Sequence, residues 1–548
     1  MIHLLASLVL ASYAIDFQQP FGSAPGQGGA PGQGGAPGQG RQGGRRTTPG
    51  GAATGQAPVA GGTGTTPTPE RTGPMLELVP WVRTKHSVTV NGAKIDYTAT
   101  CGWLPVRDAA GEVTANMFFV EYSKDDANLK KRPVLFAFNG GPGSSSMWLH
   151  MGTIGPRRAR MNDDGSMPQP PFEVVDNNET WLNSTDIVML DAIGTGYSRP
   201  ASATDRSFYG LQGDLQGFTA GIKEYLTREH RWVSPKFVAG ESYGGMRVAG
   251  LSYTLLQAGI ALNGIVSISG VMNDATLDNG RFNDLPYFSF LPSEAAVAWY
   301  HKRLAPKYQA MTVDALCAEV EKFTTGEYAA ALNEGDAIAP RMRADVIAKL
   351  SAYTGISKGY YETSNMRIRA GSFMSELMRE KNESVGRYDG RLIGHVVDGS
   401  TGRPDFDASD AATSPVFIAG FNEYVDADLK FHPSEYRANL DYRGTAYQFI
   451  GGWDYGQNTG YPDTSQSLQR CMDQNRYMKV MLCCGRFDLA CPYMGMRYVM
   501  AHLGEDPTLA KNIHFEYYPA GHMMYIEKSS RAKLQSDVGN FVASALPS

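Results

Sequence analysis

The sequence has few cysteines, no metal-ligand spacing and no apolar run of ~18 residues, the length a membrane helix needs. It has six cysteines in 548 residues, and Cys483 and Cys484 are neighbours. Adjacent residues of a strand point to opposite faces, which argues against a full three-bridge disulfide framework. Charge is nearly balanced, with 50 Lys and Arg against 55 Asp and Glu. These absences predict no metal, no cofactor, no nucleic-acid partner and no membrane span in the mature protein.

The first 74 residues differ in composition from the rest of the chain. A short apolar run ending in small residues predicts a signal peptide over 1–14, and therefore a protein exported to the periplasm or the extracellular space. The alternative is a buried helix, but the following tract cannot pack against one. That tract, 15–74, has 18 glycines between Phe21 and Pro74 and almost no branched aliphatic residues. We expect a disordered Gly/Pro-rich linker.

Hydrophobic patterning beyond the linker predicts an α/β domain. Alternating residues turn at Asn91-Gly92, which is typical of a β-hairpin. Unbroken apolar runs then end at glycine-rich turns near Asn139, Gly194 and Gly240, and the last is followed by a helical pattern. Strands of this kind indicate a central, mostly parallel sheet with helices on both faces.

A helix-rich stretch separates these early strands from two late ones. We therefore predict an α/β core formed by 75–284 and 462–548, with 285–461 inserted as a cap. An insertion at this place commonly covers the carboxyl ends of the strands, where α/β proteins bind their ligands.

A Gly-x-Ser-x-Gly motif at Gly240-Glu-Ser-Tyr-Gly carries the candidate nucleophile, Ser242. The serine of this motif sits on a strained turn from strand to helix, and the glycines on either side let the two elements approach. The motif alone is weakly specific. Here a β-like segment precedes it and helical spacing follows it, which favours the nucleophilic interpretation.

A serine nucleophile needs a base, an acid that orients the base, and donors for the oxyanion. Asp488 and His522 each follow a late predicted strand, so the chain order is serine, aspartate, histidine, as in α/β-hydrolases. A lone Asp or His after a strand is more often structural, but the conjunction of all three favours catalysis. One oxyanion donor is expected to be the backbone N–H of Tyr243, and the other to come from the glycine-rich turn that begins at Asn139.

At these positions the sequence resembles the serine carboxypeptidase family. The blocks that carry the resemblance are Asn139-Gly-Gly-Pro-Gly-Ser-Ser-Ser, Asp186-Ile-Val-Met-Leu-Asp with Gly194-x-Gly-Tyr-Ser, Gly240-Glu-Ser-Tyr-Gly-Gly, Gly485-Arg-Phe-Asp and Ala520-Gly-His-Met. The resemblance implies an α/β-hydrolase fold and release of single residues from peptide C-termini, usually best at acidic pH.

Site roles follow from the same resemblance. Ser242 would be the nucleophile, His522 the general base and acid, and Asp488 its orienting partner. The backbone N–H groups of Gly141 and Tyr243 would bind the oxyanion. The remaining residues would contact the substrate: Asn139 and Glu241 at its terminal carboxylate, Cys491 and Met523 near the leaving group. For Cys491 the alternative is that it forms a disulfide, and for Met523 the alternative is that it only packs in the core.

The sequence also departs from the family pattern. A second Glu, which normally pairs with the one before the nucleophile, is replaced by Thr153, which puts carboxylate binding and an acidic optimum in question. We consider His150 and Arg157 as replacement donors. An exported serine carboxypeptidase acting on peptides is the leading hypothesis. An esterase or acyltransferase on the same fold is the alternative, and an inactive hydrolase-like binding protein is a third.

Overall fold

A ten-stranded mixed sheet organises the part of the chain that the structure describes. The computed structural model describes residues 80–399, 404–433, 440–446, 452–455 and 460–547. The strands are β1 Val82–Val90, β2 Ala93–Arg107, β3 Val113–Lys124, β4 Val134–Phe138, β5 Asp186–Leu190, β6 Lys236–Glu241, β7 Gly264–Ile268, β8 Lys479–Gly485 and β9 Ile513–Tyr518, with Arg199–Pro200 pairing on β3. The spatial order is β1-β2-β3-β5-β4-β6-β7-β8-β9.

The sheet is parallel from β5 to β9 and antiparallel from β1 to the β3–β5 pair. The predicted hairpin is confirmed: β1 and β2 meet at Asn91 and Gly92, whose φ angles of 50° and 79° are the positive values that a tight hairpin turn requires. The fold class is confirmed as an α/β-hydrolase fold. Sequence patterning did not single out β3 or β7.

Helices cover both faces of the sheet. The α-helices are α1 Met147–Leu149, α2 Leu211–Arg228, α3 Gly244–Gln257, α4 Leu285–Tyr300, α5 Pro306–Gln309, α6 Val313–Phe323, α7 Ala329–Glu334, α8 Pro340–Thr354, α9 Lys358–Thr363, α10 Ala370–Glu376, α11 Ala408–Glu423, α12 Ser465–Gln474, α13 Tyr493–Ala501 and α14 Lys528–Ser544. Consecutive residues of β4 enter different cores: Leu135 packs with α14 on one face, and Phe136 packs with α2 and α3 on the other. Because both faces are buried, the parallel strands read as continuous apolar runs.

A third core lies among the helices between β7 and β8. Leu291 of α4, Leu316 of α6 and Leu350 of α8 are buried together there. Residues Gly73–Ser548 form one compact unit, and the boundaries predicted for core and cap stay a prediction. The predicted signal peptide, 1–14, and the linker, 15–74, lie outside the described residues.

The described ranges contain neither a membrane-spanning helix nor a metal-binding cluster. No helix there has both the length and the apolar character needed to cross a membrane. Among the same residues, no group of three or more His, Cys, Asp or Glu side chains is arranged to hold a metal ion.

Candidate active site

The predicted site residues lie at or beyond the carboxyl ends of strands, at one edge of the sheet. The chain leaves β4 on one side to form β5 and crosses to the other side to form β6. Such a reversal opens a crevice at the carboxyl ends of parallel strands. Asn139 follows β4, Ser242 follows β6, Asp488 follows β8 and His522 follows β9. The topology therefore brings four separate sequence blocks to the same edge.

Ser242 occupies a left-handed turn between β6 and α3. Its φ angle is 64°, a region that residues with a side chain rarely adopt. Hydrogen bonds hold the turn: the Ser242 N–H donates to the Ile268 carbonyl at 3.1 Å, and the Ser242 carbonyl accepts from Gly245 at 2.8 Å and from Val271 at 3.2 Å. This is the geometry of a nucleophile elbow, in which the chain holds the serine at the start of a helix.

Close packing of β6 on α3 explains one glycine of the motif. A Cβ on Gly240 would lie 2.4 Å from the Gly244 carbonyl oxygen, which no side chain tolerates. A Cβ on Gly244 would make only an ordinary contact of 3.4 Å, whereas one on Gly245 would lie 2.7 Å from the Val271 oxygen. The expectation of close approach is confirmed for Gly240, but on the helix side it applies to Gly245 instead of Gly244.

Asp488 and His522 form a buried hydrogen-bonded pair. His522 Nδ1 lies 2.8 Å from Asp488 Oδ2, and Asp488 Oδ1 accepts the backbone N–H groups of Ala490 at 2.7 Å and Cys491 at 2.9 Å. Both oxygens of the carboxylate are thus engaged, which fixes the imidazole. Burial would lower the pKa of His522, but the Asp488 carboxylate outweighs it and the pKa is raised.

The other imidazole nitrogen lies near the carboxyl group of Glu241. Nε2 of His522 lies 3.9 Å from Glu241 Oε1. In the described structure the Ser242 hydroxyl makes no hydrogen bond to Nε2, and such bonds are often long in ligand-free sites. The backbone of His522 is anchored on both sides, because its N–H donates to the Tyr388 carbonyl at 2.5 Å and its carbonyl accepts from the Ser269 hydroxyl at 2.7 Å.

The glycine-rich turn after β4 crosses directly over the start of α3. A Cβ on Gly140 would lie 2.5 Å from the backbone nitrogen of Tyr243, so the two candidate oxyanion segments are in contact. Gly141, with φ of 104°, has a backbone conformation that favours glycine. Tyr243 immediately precedes α3, where the helix dipole favours negative charge.

An arginine that the sequence did not single out anchors this turn. Arg247 is fully buried and pairs with Asp214 through two contacts of 2.8 and 3.1 Å. Its third donor reaches the Asn139 carbonyl at 2.5 Å, and its guanidinium lies 5.4 Å from the Tyr243 ring centroid. One buried cation therefore connects α2, α3 and the turn.

Glu241 is the centre of a buried polar network. Its Oε2 accepts hydrogen bonds from Asn139 Nδ2 at 3.1 Å and from the Tyr525 hydroxyl at 2.7 Å. Burial raises the pKa of Glu241 to about 7, so the carboxyl group changes charge close to neutral pH. The structure brings Asn139 and Glu241 together, as the family resemblance implied.

The sequence profile of the serine carboxypeptidase family matches residues 91–393. The chain belongs to the serine carboxypeptidase family. The match includes Asn139, Glu241 and Ser242 and ends before Asp488 and His522. The profile match therefore does not cover these two residues, and it is the fold that brings them to the site.

Individual relatives are similar over shorter stretches. Serine carboxypeptidase-like 40 of Arabidopsis thaliana is 28% identical over 181 residues, 32% of this chain and 34% of that protein. Pheromone-processing carboxypeptidase KEX1 of Komagataella phaffii is 30% identical over 154 residues, 28% of this chain and 22% of that protein. The chain thus spans about a third or less of the length of these curated relatives.

Among solved structures, Kex1 carboxypeptidase from Saccharomyces cerevisiae aligns with 81% of this chain and 91% of its own. The sequence identity is 15% and the TM-score is 0.49.

Tyr525 is a polar partner of Glu241 whose ring packs beside Thr153, at Gly152. Thr153 is buried and its hydroxyl has no partner in the described structure. Next to it, a Cβ on Gly152 would lie 2.3 Å from the Tyr525 ring, so glycine makes room for this ring. The Tyr525 hydroxyl then donates to Glu241. Sequence reasoning missed Tyr525; its only signal is a position three residues after the candidate histidine.

The two replacement donors considered from sequence are engaged elsewhere. His150 is buried with Nε2 2.5 Å from the Tyr122 hydroxyl, and burial lowers the pKa of His150 to about 3, which keeps the ring neutral. Arg157 pairs with Asp176 at 2.5 Å and with Asp428 at 3.1 Å. Neither side chain takes the position of the missing carboxyl group.

Cys491 is a free thiol, as are the other five cysteines. It is buried with Tyr243 and Val271, burial raises its pKa, and a hydrogen bond with Ser242 partly offsets the rise. Met523 is buried in the core that also contains Tyr525. The disulfide alternative for Cys491 is therefore wrong, whereas the contact of Cys491 and Met523 with a leaving group stays a prediction.

Proposed function

We propose that this protein is a serine carboxypeptidase that removes single residues from peptide C-termini through an acyl-enzyme. The observation that carries the proposal is the buried Asp488–His522 hydrogen bond of 2.8 Å at the sheet edge that also presents Ser242 in a left-handed turn. A structural histidine needs no serine in that conformation. The three groups in this topology support nucleophilic catalysis.

In the proposed mechanism the Ser242 hydroxyl attacks the last peptide carbonyl while His522 Nε2 accepts its proton. Asp488 stabilises the imidazolium that forms, and the raised pKa of His522 is the electrostatic expression of this stabilisation. The N–H groups of Gly141 and Tyr243 would bind the oxyanion. His522 then returns the proton to the leaving amine, and water hydrolyses the acyl-enzyme by the same steps.

Recognition of the terminal carboxylate is assigned to Asn139 and Glu241. A protonated carboxyl group can donate a hydrogen bond to a carboxylate, whereas an ionised one repels it. With a pKa of about 7, Glu241 is protonated in mildly acidic solution. This supports a preference for free-acid peptides below neutral pH, even without a second Glu.

Product analysis of a mixed peptide pool tests the proposal. Mass spectrometry should detect stepwise loss of single C-terminal residues, and peptides with an amidated C-terminus should be cleaved far more slowly. Ser242→Ala is the matched control, and a fluorophosphonate probe should label the wild-type protein alone. Undiminished cleavage of amidated peptides would contradict carboxypeptidase specificity, and an unlabelled wild type would favour the inactive binding protein.

Thr153 favours a second candidate, ester hydrolysis or acyl transfer with the same catalytic residues. Without a second carboxyl group, carboxylate binding depends on a smaller set of donors. An enzyme of this kind should hydrolyse neutral esters and amidated peptides with no preference for a free carboxylate. The ratio of kcat/KM for a free-acid peptide and for its amide therefore separates the two candidates.

We also propose export, directed by residues 1–14. The apolar segment with small residues at its end supports cleavage after Ala14. Expression of the full chain followed by N-terminal sequencing of the protein outside the cytoplasm should give a start at Ile15. A protein retained inside the cell with its first 14 residues intact would contradict the proposal.

A further inference from the structure

A short β-hairpin from the predicted cap contacts both loops that hold the catalytic acid and base. Its strands, Glu383–Val385 and Ile393–His395, are antiparallel. The connecting residues reach the site: the Arg387 carbonyl accepts the Leu489 N–H at 3.1 Å, next to Asp488, and the Tyr388 carbonyl accepts the His522 N–H at 2.5 Å. The side chains of this connection are thus placed beside the catalytic pair.

The Arg387 guanidinium lies over the Tyr388 ring, and that ring packs at a tilt of 37° against the imidazole of His522. The guanidinium carbon lies 5.1 Å from the Tyr388 ring centroid, and the Tyr388 ring lies 5.3 Å from the His522 ring. Arg387 is half-buried. Burial would lower the pKa of its guanidinium, but the acidic groups around it raise it, with Tyr388 and Asp407 contributing most and Cys491 and Asp488 less. The cation is therefore within electrostatic reach of the predicted leaving-group side of the site.

This guanidinium makes no ion pair with a carboxylate in the described ranges. Four residues later, Arg391 pairs with Asp389 at 2.6 Å. The nearby carboxylate of Asp407 uses Oδ1 for other donors, namely the Arg387 backbone N–H at 3.1 Å and the Ser409 N–H at 2.9 Å. The Arg387 side chain hydrogen-bonds the Tyr388 side chain, and the planar fork of a guanidinium carries further donors that match a carboxylate in bidentate geometry.

We propose that Arg387 binds a carboxylate of the substrate's leaving residue. This inference rests on the proposed function, because only an exopeptidase must hold that residue by a charged end. Arg387 would also supply additional hydrogen-bond donors for the carboxylate, because Oε2 of Glu241 already accepts hydrogen bonds from Asn139 and Tyr525. Above neutral pH Glu241 ionises, whereas a guanidinium stays positive. The carboxylate is either the α-carboxylate or the side chain of a terminal Asp or Glu.

Binding measurements in a Ser242→Ala background test this directly, because they require no turnover. Isothermal titration would compare three peptides that end in Leu free acid, Leu amide and Glu free acid. Arg387→Met should weaken free-acid binding by about ten- to hundred-fold, the range for a hydrogen bond to a charged group. Binding of the amide should not change. Arg387→Lys should fall between parent and Arg387→Met, and Arg341→Met, on the exposed face of α8, is the control.

The pattern of losses identifies the carboxylate. Loss for both free acids assigns the α-carboxylate, and loss for the Glu peptide alone assigns the side chain. Equal Kd values in parent and Arg387→Met, or no measurable binding of free acids to the parent, would overturn the proposal.

A purely electrostatic role beside Asp488 predicts a different result. In that case Arg387→Met, made in the otherwise wild-type chain, lowers kcat on a neutral ester while the Kd values stay fixed, and the proposal fails. A further result would separate the two proposals. If free acids bind through Arg387 but the wild type releases no C-terminal residue, the Arg387 site stands and the carboxypeptidase function fails. Circular dichroism of each variant excludes misfolding, and the Lys variant preserves the test if Met disrupts the hairpin.

Discussion

Glu241→Gln should remove a pH dependence that the buried network creates. With a pKa of about 7, roughly nine-tenths of Glu241 is protonated at pH 6 and roughly one-tenth at pH 8. If only the protonated form binds a substrate carboxylate, the KM of a free-acid peptide rises about tenfold across this interval in the wild type. A glutamine keeps its donor at every pH, so the variant's KM should stay flat.

The assay compares a blocked dipeptide free acid with a neutral ester between pH 5 and 9. The ester has no carboxylate in its leaving group, so its profile reports the titration of His522, including the effect of the Glu241 charge on the His522 pKa, without the carboxylate-binding step. Tyr525→Phe is an informative second variant. Its hydroxyl lowers the pKa of Glu241 by stabilising the charged form, so removing it should move the KM midpoint to higher pH.

The same carboxyl group contributes to stability, with a sign that can be worked out. Burial raises its pKa in the folded state from 4.5 to about 7, which corresponds to about 3 kcal/mol. This stability is fully present below pH 4.5 and is lost as the pH rises through 7. Urea denaturation at pH 5 and pH 8 should therefore show a smaller loss of unfolding free energy for Glu241→Gln than for the wild type.

Two outcomes would refute this reasoning. A wild-type KM that does not change between pH 6 and 8 would mean that Glu241 does not titrate there or does not contact the carboxylate. An unchanged KM profile in Glu241→Gln would assign the pH dependence to another group.

Three further predictions concern the scaffold of the site. Arg247→Met leaves the buried Asp214 unpaired and should cost about 3–5 kcal/mol in unfolding free energy, measured by urea denaturation; a loss below 1 kcal/mol would contradict a buried pair. Gly240→Ala should abolish fluorophosphonate labelling of Ser242, because its Cβ would lie 2.4 Å from a backbone oxygen. In the control Gly371→Ala, the new Cβ meets nothing within 4 Å, so this variant should label normally. Equal labelling of the two variants would refute the packing argument. Titration of the denatured, unreduced protein with a thiol reagent should find all six cysteines free, and a count of four or fewer would indicate a disulfide.

Much of the fold was predictable because its signals are local. Apolar runs such as 134–138 and 236–239 end at glycines, and each is a strand in the structure. The Asn91-Gly92 turn needs positive φ at both residues and is recognisable without any partner strand. Strand β7 escaped notice because five residues of mixed size, Gly264–Ile268, acquire strand character only between β6 and β8.

The candidate site was likewise predictable from the sequence only in part. Residue types and their order along the chain determined the candidate nucleophile, acid and base, since a serine between glycines after a strand needs no distant information. Only the tertiary structure decided what surrounds them. Tyr525 reaches Glu241 across 284 positions, and Arg387 reaches the loop of Asp488 from the middle of the predicted insertion. Such contacts leave no periodic trace in the sequence, because they depend on how separate elements pack. Local conformation is encoded by neighbouring residues, whereas the charge and pKa of a buried group depend on side chains brought near it by the fold.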